Sequence, residues 1–580
     1  MIHSVRANQP DFRSVNFTAG VNLVLADRSR RAGEKDTTNA LGKSTLIDII
    51  DFCLGSNATK GKGLRVEALH DWAFTLEIDI AGRTVFVSRS VASPQTVVVD
   101  GDTDGWPIQP VIKGGYRSFD VKRWRALLAW AMFGLGTPPS AGGYHPSARS
   151  LLSYFNRNQS AAYISPFKYF GNQKTWDVQV HNAFLLGLNW EKAATWQKFK
   201  DQKKALTTLK QAIKTGAVDG ELATLGELEA ERLRFSTQLE REQAALSSFK
   251  VLPQYREIEV KANSLTAEIH SLINTNIAEK RRLQRYKDAI EKEASPADSR
   301  LEALYREAGI SLPGMVTKTL ENAREFSKKI VANRREFIAD EISALESATH
   351  EREILIENLT ETRSNYLSAL EGQGALEELT QLQLLHATTK AKVAELAHRI
   401  TQLRKMASRS DEIKVDTVKL KRSAEVDYEE RRELWSHALK LFSEFSENLY
   451  KTPGRLVIDI ADTGYKFDVE IAGSPSEGIG KMKIFCYDLM LVSFARQRGL
   501  GIDFLIHDST IFDGVDPRQR AHALELAAKM AKIHGFQYIC TLNTDMVPAG
   551  DFTPGFNFEE LVKLRLTDTD PRGSLLGFRF

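Results

Sequence analysis

Asn39-Ala40-Leu41-Gly42-Lys43-Ser44-Thr45, near the start of the chain, and Phe504-Leu505-Ile506-His507-Asp508, near its end, together decide the fold. The first stretch is preceded by a short apolar run, Val21-Asn22-Leu23-Val24-Leu25, which reads as a buried strand. It runs into Leu46-Ile47-Asp48-Ile49-Ile50-Asp51-Phe52, whose apolar spacing suits a helix packed on a sheet. Strand, loop, Gly-Lys-Ser, helix is the context of a phosphate-binding loop. The orphan N–H groups and dipole of the helix meet phosphate, Lys43 reaches the β- and γ-phosphates, and Ser44 ligates Mg²⁺. Asn39, Gly42, Lys43, Ser44 and Thr45 are therefore candidate ATP-binding residues. The second stretch is an apolar strand ending in a carboxylate, Asp508, which Mg²⁺ takes directly or through water. Ser44 and Asp508 are the expected metal ligands. Both pieces must lie on one sheet, so the chain between them has to leave that sheet and return.

The intervening chain is built for such an excursion. From about Trp190 to Phe445 glycine and proline thin out and charged residues dominate. Ala262, Leu265, Ile269 and Leu272, then Leu283, Tyr286 and Ile290, fall on alternating spacings of three and four, interrupted by Asn276 and Glu279. Leu379, Leu382, His386, Thr389, Val393, Leu396, Ile400 and Leu403 do the same later, and Leu355, Leu359, Thr362, Tyr366 and Ala369 form an earlier run. The reversal is placed at Gly309 to Gly314, where Leu312-Pro313-Gly314 breaks the helix. The expected organisation is an N-terminal lobe at 1–190, an antiparallel coiled-coil arm at 191–445 and a C-terminal lobe at 446–580. An arm of about 100 helical residues would reach roughly 150 Å if unbroken.

Bulk properties bound the function. The 580 residues carry 78 Lys+Arg against 75 Asp+Glu, so any nucleic-acid contact has to come from local patches. Lys280-Arg281-Arg282, Lys328-Lys329 with Arg334-Arg335, and Lys419 to Arg422 are such patches, although a solvated coiled-coil face explains each more simply. Cys53, Cys486 and Cys540 form no CxxC pair and sit among apolar residues, as reduced buried thiols do. Met1 to Arg6 lack the apolar core of a signal peptide, and no segment approaches a membrane span, so a cytoplasmic protein is expected.

Both lobes carry β-hairpin signals. Phe74 to Ile80 and Thr84 to Arg89 alternate around Ala81-Gly82, and Arg455 to Ile460 and Tyr465 to Ile471 flank Asp462-Thr463-Gly464. Val97-Val98-Val99 and Tyr538 to Asn543 read as further strands, Val121 to Leu135 and Met482 to Arg498 as helices. The segment Ser150 to Arg157 either packs as a helix or brings Arg157 or Gln159 to the γ-phosphate. The polar stretch from Asp27 to Lys35 folds over the nucleotide, faces a partner, or is a plain surface loop.

Taken together, these residues resemble the SMC-like ABC ATPases, the superfamily of cohesin-type, RecN and zinc-hook repair proteins. A closer likeness is to a bacterial group whose C-terminal lobe is a domain of unknown function and which occurs in ABC-three-component systems. That likeness is carried by Gly42-Lys43-Ser44-Thr45-Leu46, Leu304 to Ile310, Met482-Lys483-Ile484-Phe485, His507-Asp508-Ser509, Phe512 to Asp516, and the final Gly577-Phe578-Arg579-Phe580. It implies an α/β head split between the two lobes, with an inserted antiparallel coiled coil. It also implies a homodimer closing around two ATP molecules, partner proteins from a multi-component system, DNA as a ligand, and defence against phage or plasmids, with RecN-like repair as the alternative.

The resemblance also assigns residues. Ser476, Gly478 and Gly480, at a Ser/Gly-rich helix start, stand where a signature motif offers N–H groups and a hydroxyl to ATP held by the opposite head, an ordinary N-capped helix being the plainer reading. Asp513 to Asp516 resembles the D-loop, with Asp516 toward the nucleotide, and Asn543 stands near the place of the switch histidine. The chain departs from the family at several points, among them Ala40 where the loop has a glycine after Asn39 and a signature turn that is not LSGGQ. Thr37 replaces the first glycine of the loop, Ser509 replaces the glutamate that polarises water, and no cysteine pair lies at the arm's apex for a zinc hook. Serine is a poor base, so hydrolysis is either slow or served by His507 or Asp513.

Overall fold

The computed structural model describes residues 1–27, 41–57, 59–136, 143–158, 160–214, 224–249, 256–293, 316–368, 375–471, 473 and 476–578. Asn39, Gln159, the reversal at Gly309 to Gly314, and Thr37 lie outside them. In chain order the strands are β1 (Ile2–Ala7), β2 (Val15–Asn16), β3 (Gly20–Asp27), β4 (Ala73–Ile80), β5 (Arg83–Ser90), β6 (Thr96–Gly101), β7 (Val111–Lys113), β8 (Tyr116–Asp120), β9 (Asn156–Arg157), β10 (Arg455–Ala461), β11 (Gly464–Glu470), β12 (Phe504–His507), β13 (Gln537–Asn543) and β14 (Val562–Thr567). The helices are α1 (Lys43–Cys53), α2 (Val121–Phe133), α3 (Ala148–Phe155), α4 (Thr175–Leu185), α5 (Trp190–Lys214), α6 (Leu225–Ser248), α7 (Arg256–Glu293), α8 (Val316–Ser368), α9 (Ala375–Glu430), α10 (Arg432–Tyr450), α11 (Glu477–Gln497), α12 (Pro517–His534) and α13 (Phe558–Leu561).

Two compact units result, one holding Met1–Asp201 and Asp416–Phe580, the other Gln202–Glu307 and Thr319–Val415. The first is the α/β head. Its five-stranded sheet runs β14-β3-β13-β12-β9, and every neighbouring pair is parallel. Strands from both ends of the chain thus share one sheet. The apolar runs of β3, β12 and β13 are buried on both faces, as strands in a covered parallel sheet must be. Cys540 of β13 stands level with Leu23 of β3 on one side and with His507 of β12 on the other. The carboxyl ends of β3 and β12 therefore emerge together, and in open α/β sheets that end is where ligands bind.

The N-terminal lobe adds a seven-stranded antiparallel sheet, ordered β2-β1-β4-β5-β6-β8-β7. Its β4–β5 hairpin turns on Ala81 at φ 51° and Gly82 at φ 77°, the two positive angles that match a two-residue turn to strand twist. β10 and β11 pair by themselves, in register from Arg455↔Glu470 to Ala461↔Gly464. At Ser150 to Arg157 the helix α3 ends at Phe155, and the last two residues become β9, which docks beside β12.

The second unit is an antiparallel helical assembly. Arg404 of α9 meets Glu229 of α6, and Thr389 meets Glu242; in α7 and α8, Lys280 pairs with Glu353 and Lys287 with Glu346. Partners lie ever closer in sequence from α6 and α9 to α7 and α8, the order that antiparallel helices of one hairpin require. The predicted seam positions Ala262, Ile269, Leu379, Thr389, Leu396 and Ile400 are buried. In the earlier run the stripe is displaced: Leu355 is 42% exposed. Asn276, read from sequence as an interruption, is buried and accepts from Arg352 Nη1 at 2.7 Å, while Glu279 pairs with Arg352 at 2.5 Å. A polar pair inside a seam fixes register at some cost in stability. In the basic patches Lys280, Arg282, Lys419 and Lys421 face Glu353, Glu341, Asp416 and Asp462. Among the described residues no helix is long and apolar enough to cross a membrane.

Candidate nucleotide site

Gly42 begins the site. It caps α1 with φ 95° and ψ 16°, a left-handed conformation that side chains avoid. A Cβ placed there would lie 2.7 Å from Leu575 Cβ, because Leu575 N donates to Leu41 O at 2.9 Å. The C-terminal end of the chain thus clamps the approach to α1. Only glycine satisfies both the backbone angle and the contact.

Lys43 and Ser44 open α1, and each reaches across the sheet. Lys43, buried to 6% exposure, donates from Nζ to Asn543 Oδ1 at 2.6 Å, at the carboxyl end of β13. Burial lowers its pKa, while the carboxylates of Asp508 and Asp545 oppose that shift. Ser44 Oγ donates to Asp508 Oδ2 at 2.8 Å, although 464 positions separate the two residues. Thr45 occupies the same first turn.

Asp508 is the hub. It is 6% exposed, and its carboxylate takes three hydroxyl donors: Ser44 on Oδ2, with Ser509 at 3.1 Å and Thr541 at 3.2 Å on Oδ1. Its own N–H donates to Tyr163 OH at 2.8 Å. A hydroxyl and a carboxylate oxygen in contact at the start of α1 are hard donors of the kind Mg²⁺ accepts. Among the described residues no cluster of three or more His, Cys, Asp or Glu forms an all-protein metal cage.

The neighbours divide by strand face. His507 is fully buried, its Nε2 3.0 Å from Asp488 Oδ2 and its Nδ1 3.2 Å from Tyr538 OH. Burial lowers its pKa, against the opposing pull of Asp488, and its ring lies in the core on the far side of β12 from Asp508. Asp513 is exposed on the turn after β12, with its pKa raised by partial burial and by the carboxylates of Glu477 and Asp508, against Lys481. Asp516 spends its side chain on the N–H of Arg518, capping α12 at 2.9 Å. Ser476 caps α11 by accepting from Ile479 N at 3.3 Å. Gly478 packs so closely that a Cβ would meet Gly514 O at 2.3 Å, whereas a Cβ on Gly480 would meet nothing within 4 Å. The turns at Ser476 and Asp513 are therefore packed together.

Four contributors were invisible to sequence reading. Tyr163 holds the Asp508 N–H, Thr541 its carboxylate, and Leu575 the glycine of the loop. Asp48, one turn beyond Ser44 in α1, accepts from Asn158 Nδ2 at 2.6 Å. Burial, then Asp51, raise its pKa to about 7. The i to i+4 spacing from Ser44 was the one available signal. Arg157, a sequence candidate for the γ-phosphate, is fully buried and chelates Asp488 with Nε at 2.6 Å and Nη2 at 2.8 Å.

Residues 445–580 match the family described as an uncharacterised protein conserved in bacteria, DUF2326. Across 99% of this chain and 98% of the relative, the sequence is 20% identical to the uncharacterized protein YydD of Bacillus subtilis strain 168. Among solved structures, the Smc head domain with a coiled coil and joint from Pyrococcus yayanosii is similar at 14% identity and a TM-score of 0.34, covering 94% of this chain and 93% of that one. The Smc head domain with an extended coiled coil bound to the C-terminal domain of ScpA, from Pyrococcus furiosus, is similar at 11% identity and a TM-score of 0.30, covering 94% and 91%.

Proposed function

We propose that the chain is an SMC-like ATPase, binding Mg·ATP between α1 and Asp508 and closing on a second copy through the turn at Ser476. The observation that carries this reading is the 2.8 Å contact between Ser44 and Asp508, made across the whole length of the polypeptide. Gly42 and the start of α1 supply the phosphate cradle, and Lys43 is held at its rim by Asn543. Bound magnesium would neutralise charge developing on the phosphate oxygens. Asp513 is the carboxylate we assign to the attacking water, because it lies on the turn after Asp508 while His507 is engaged in the core. DNA, a partner effector and a role in defence enter only through the resemblance. The paired cations of the arm lend DNA no particular support.

The test is ATP-dependent dimerisation, followed by light scattering, together with turnover. The wild type is expected to dimerise with Mg·ATP and Lys43→Ala to remain monomeric; a wild type that binds no Mg·ATP ends the proposal. A second reading, a nucleotide-gated scaffold with little hydrolysis, is favoured by Ser509, which lends Asp508 a hydroxyl where the family has a carboxylate. Ordinary turnover that Asp508→Ala abolishes would remove it.

A further inference from the structure

Helix α11 meets the surroundings of Asp508 at two points on one face, first at the turn that carries Tyr163 and then at strands β9 and β12. Lys481 lies with its Nζ 5.5 Å from the ring centroid of Tyr163. Asp488, seven residues on and so on the same side of the helix, receives Arg157 of β9 through two short hydrogen bonds and His507 of β12 through a third. Arg157, Asp488 and His507 are all fully buried. The charges of Arg157 and Asp488 are balanced, since one guanidinium meets one carboxylate. A buried charged network of this kind is weak as a source of stability, because desolvation offsets most of the Coulomb gain. It is strong as a constraint on relative position.

The network continues to the chemistry. Arg157 O accepts from Tyr163 OH at 2.8 Å, and the same hydroxyl oxygen accepts from Asp508 N at 2.8 Å. That phenolic group thus joins the residue that grips α11 to the residue that meets Ser44 by two short bonds, beside a longer direct contact of 3.4 Å from Asp508 N to Arg157 O. At its N-terminus α11 is capped by Ser476, in the turn read above as facing the nucleotide of a second head.

Building on that reading, we propose that Asp488 and Tyr163 are positioning residues that couple the Ser476 turn to Asp508. Movement of α11, when its N-terminus engages a partner's ATP, is transmitted through Asp488 and Arg157 to Tyr163, which sets the depth of the Asp508 carboxylate beneath Ser44. The effect of both positioning residues is on how well the site responds to magnesium.

Tyr163→Phe is the decisive variant, because it deletes the shared hydroxyl and leaves the buried charges untouched. ATP affinity is measured with and without magnesium, alongside ATP-dependent dimerisation and thermal melting. The wild type is expected to bind ATP more tightly when magnesium is added. In Tyr163→Phe that gain should shrink about tenfold, with metal-free affinity unchanged and Mg·ATP-dependent dimerisation weakened. Asp488→Asn should do the same, and the double variant should do no more than either alone, as members of one chain of contacts do. A Tyr163→Phe protein with the wild-type magnesium response overturns the proposal, whatever Asp488→Asn does to folding. A wild type that binds no ATP would instead strike at the proposed function itself.

Discussion

Ser44 and Ser476 both stand at the N-terminal end of a helix, yet the chain treats them oppositely. Ser44 is bonded to Asp508, beneath a loop whose glycine is pinned by Leu575 and beside a lysine held by Asn543. Ser476 caps only its own helix, on an exposed turn with open space at Gly480. On the proposed reading, the phosphate site at Ser44 is finished by residues of this chain, whereas among the described residues the turn at Ser476 is packed by the Asp513 turn. The difference is what a site completed by a second copy would require. It also predicts that damage near Ser44 strikes binding, whereas damage near Ser476 strikes association.

The sharpest way to break that contrast is Gly42→Ala. A left-handed alanine costs about 1–2 kcal/mol, and the methyl would also meet Leu575 at 2.7 Å. The loop must move, so ATP affinity, measured by calorimetry on the monomer, should fall about 100-fold or more, equivalent to about 2.7 kcal/mol. Retained affinity would mean that phosphate is held elsewhere.

Gly478→Ala attacks the opposite end. Its methyl would sit 2.3 Å from Gly514 O, forcing the Ser476 and Asp513 turns apart. Monomeric heads should still bind ATP within about threefold of wild type, while ATP-dependent dimerisation weakens by about tenfold, or about 1.4 kcal/mol. Equal loss of both would erase the distinction between the two helix ends.

The same contrast explains what was legible in the sequence. The Gly-Lys-Ser helix start and the apolar strand before Asp508 are local patterns, and the fold had to bring them together. The hairpins at Ala81-Gly82 and Asp462-Thr463-Gly464 are equally local, and they form where turn chemistry placed them. The partners of Asp508 are not local. Tyr163 and Thr541 are ordinary residues until the order β13-β12-β9 sets them around one carboxylate. In the run of letters His507 stands beside Asp513 as an alternative base, yet strand alternation sends its ring into the core and leaves the Asp508 carboxylate at the site. In the arm, Asn276 looked like a flaw in the heptads because its partner Arg352 lies 76 positions away.

Asp48 gives a pH test of the finished end. Burial beside Asp51 raises its folded-state pKa to about 7, from an ordinary value of 3.8. Between those values the folded chain binds more protons than the unfolded one, so this residue's contribution makes stability fall as pH rises from about 4 to about 7. Asp48→Asn removes that contribution and still accepts from Asn158. Denaturant titrations should therefore find the variant stabilised by roughly 1–3 kcal/mol at pH 8 and little changed at pH 4. A variant as stable as wild type at both pH values would show that Asp48 is ordinary.

Gly480→Ala has the smallest expected effect and separates two readings of the open turn. Position 480 lies inside α11, where glycine costs roughly 0.5–1 kcal/mol relative to alanine, and a methyl there meets nothing within 4 Å. The isolated chain should therefore melt slightly higher, by the few tenths to 1 kcal/mol that helix propensity supplies. If the turn is only an N-capped helix start, that gain is the whole effect, and association is untouched. If the space is kept open for the phosphates of a nucleotide on another copy, the stabilised variant should dimerise more weakly with Mg·ATP. Stability and association would then move in opposite directions, which loss of folding cannot imitate.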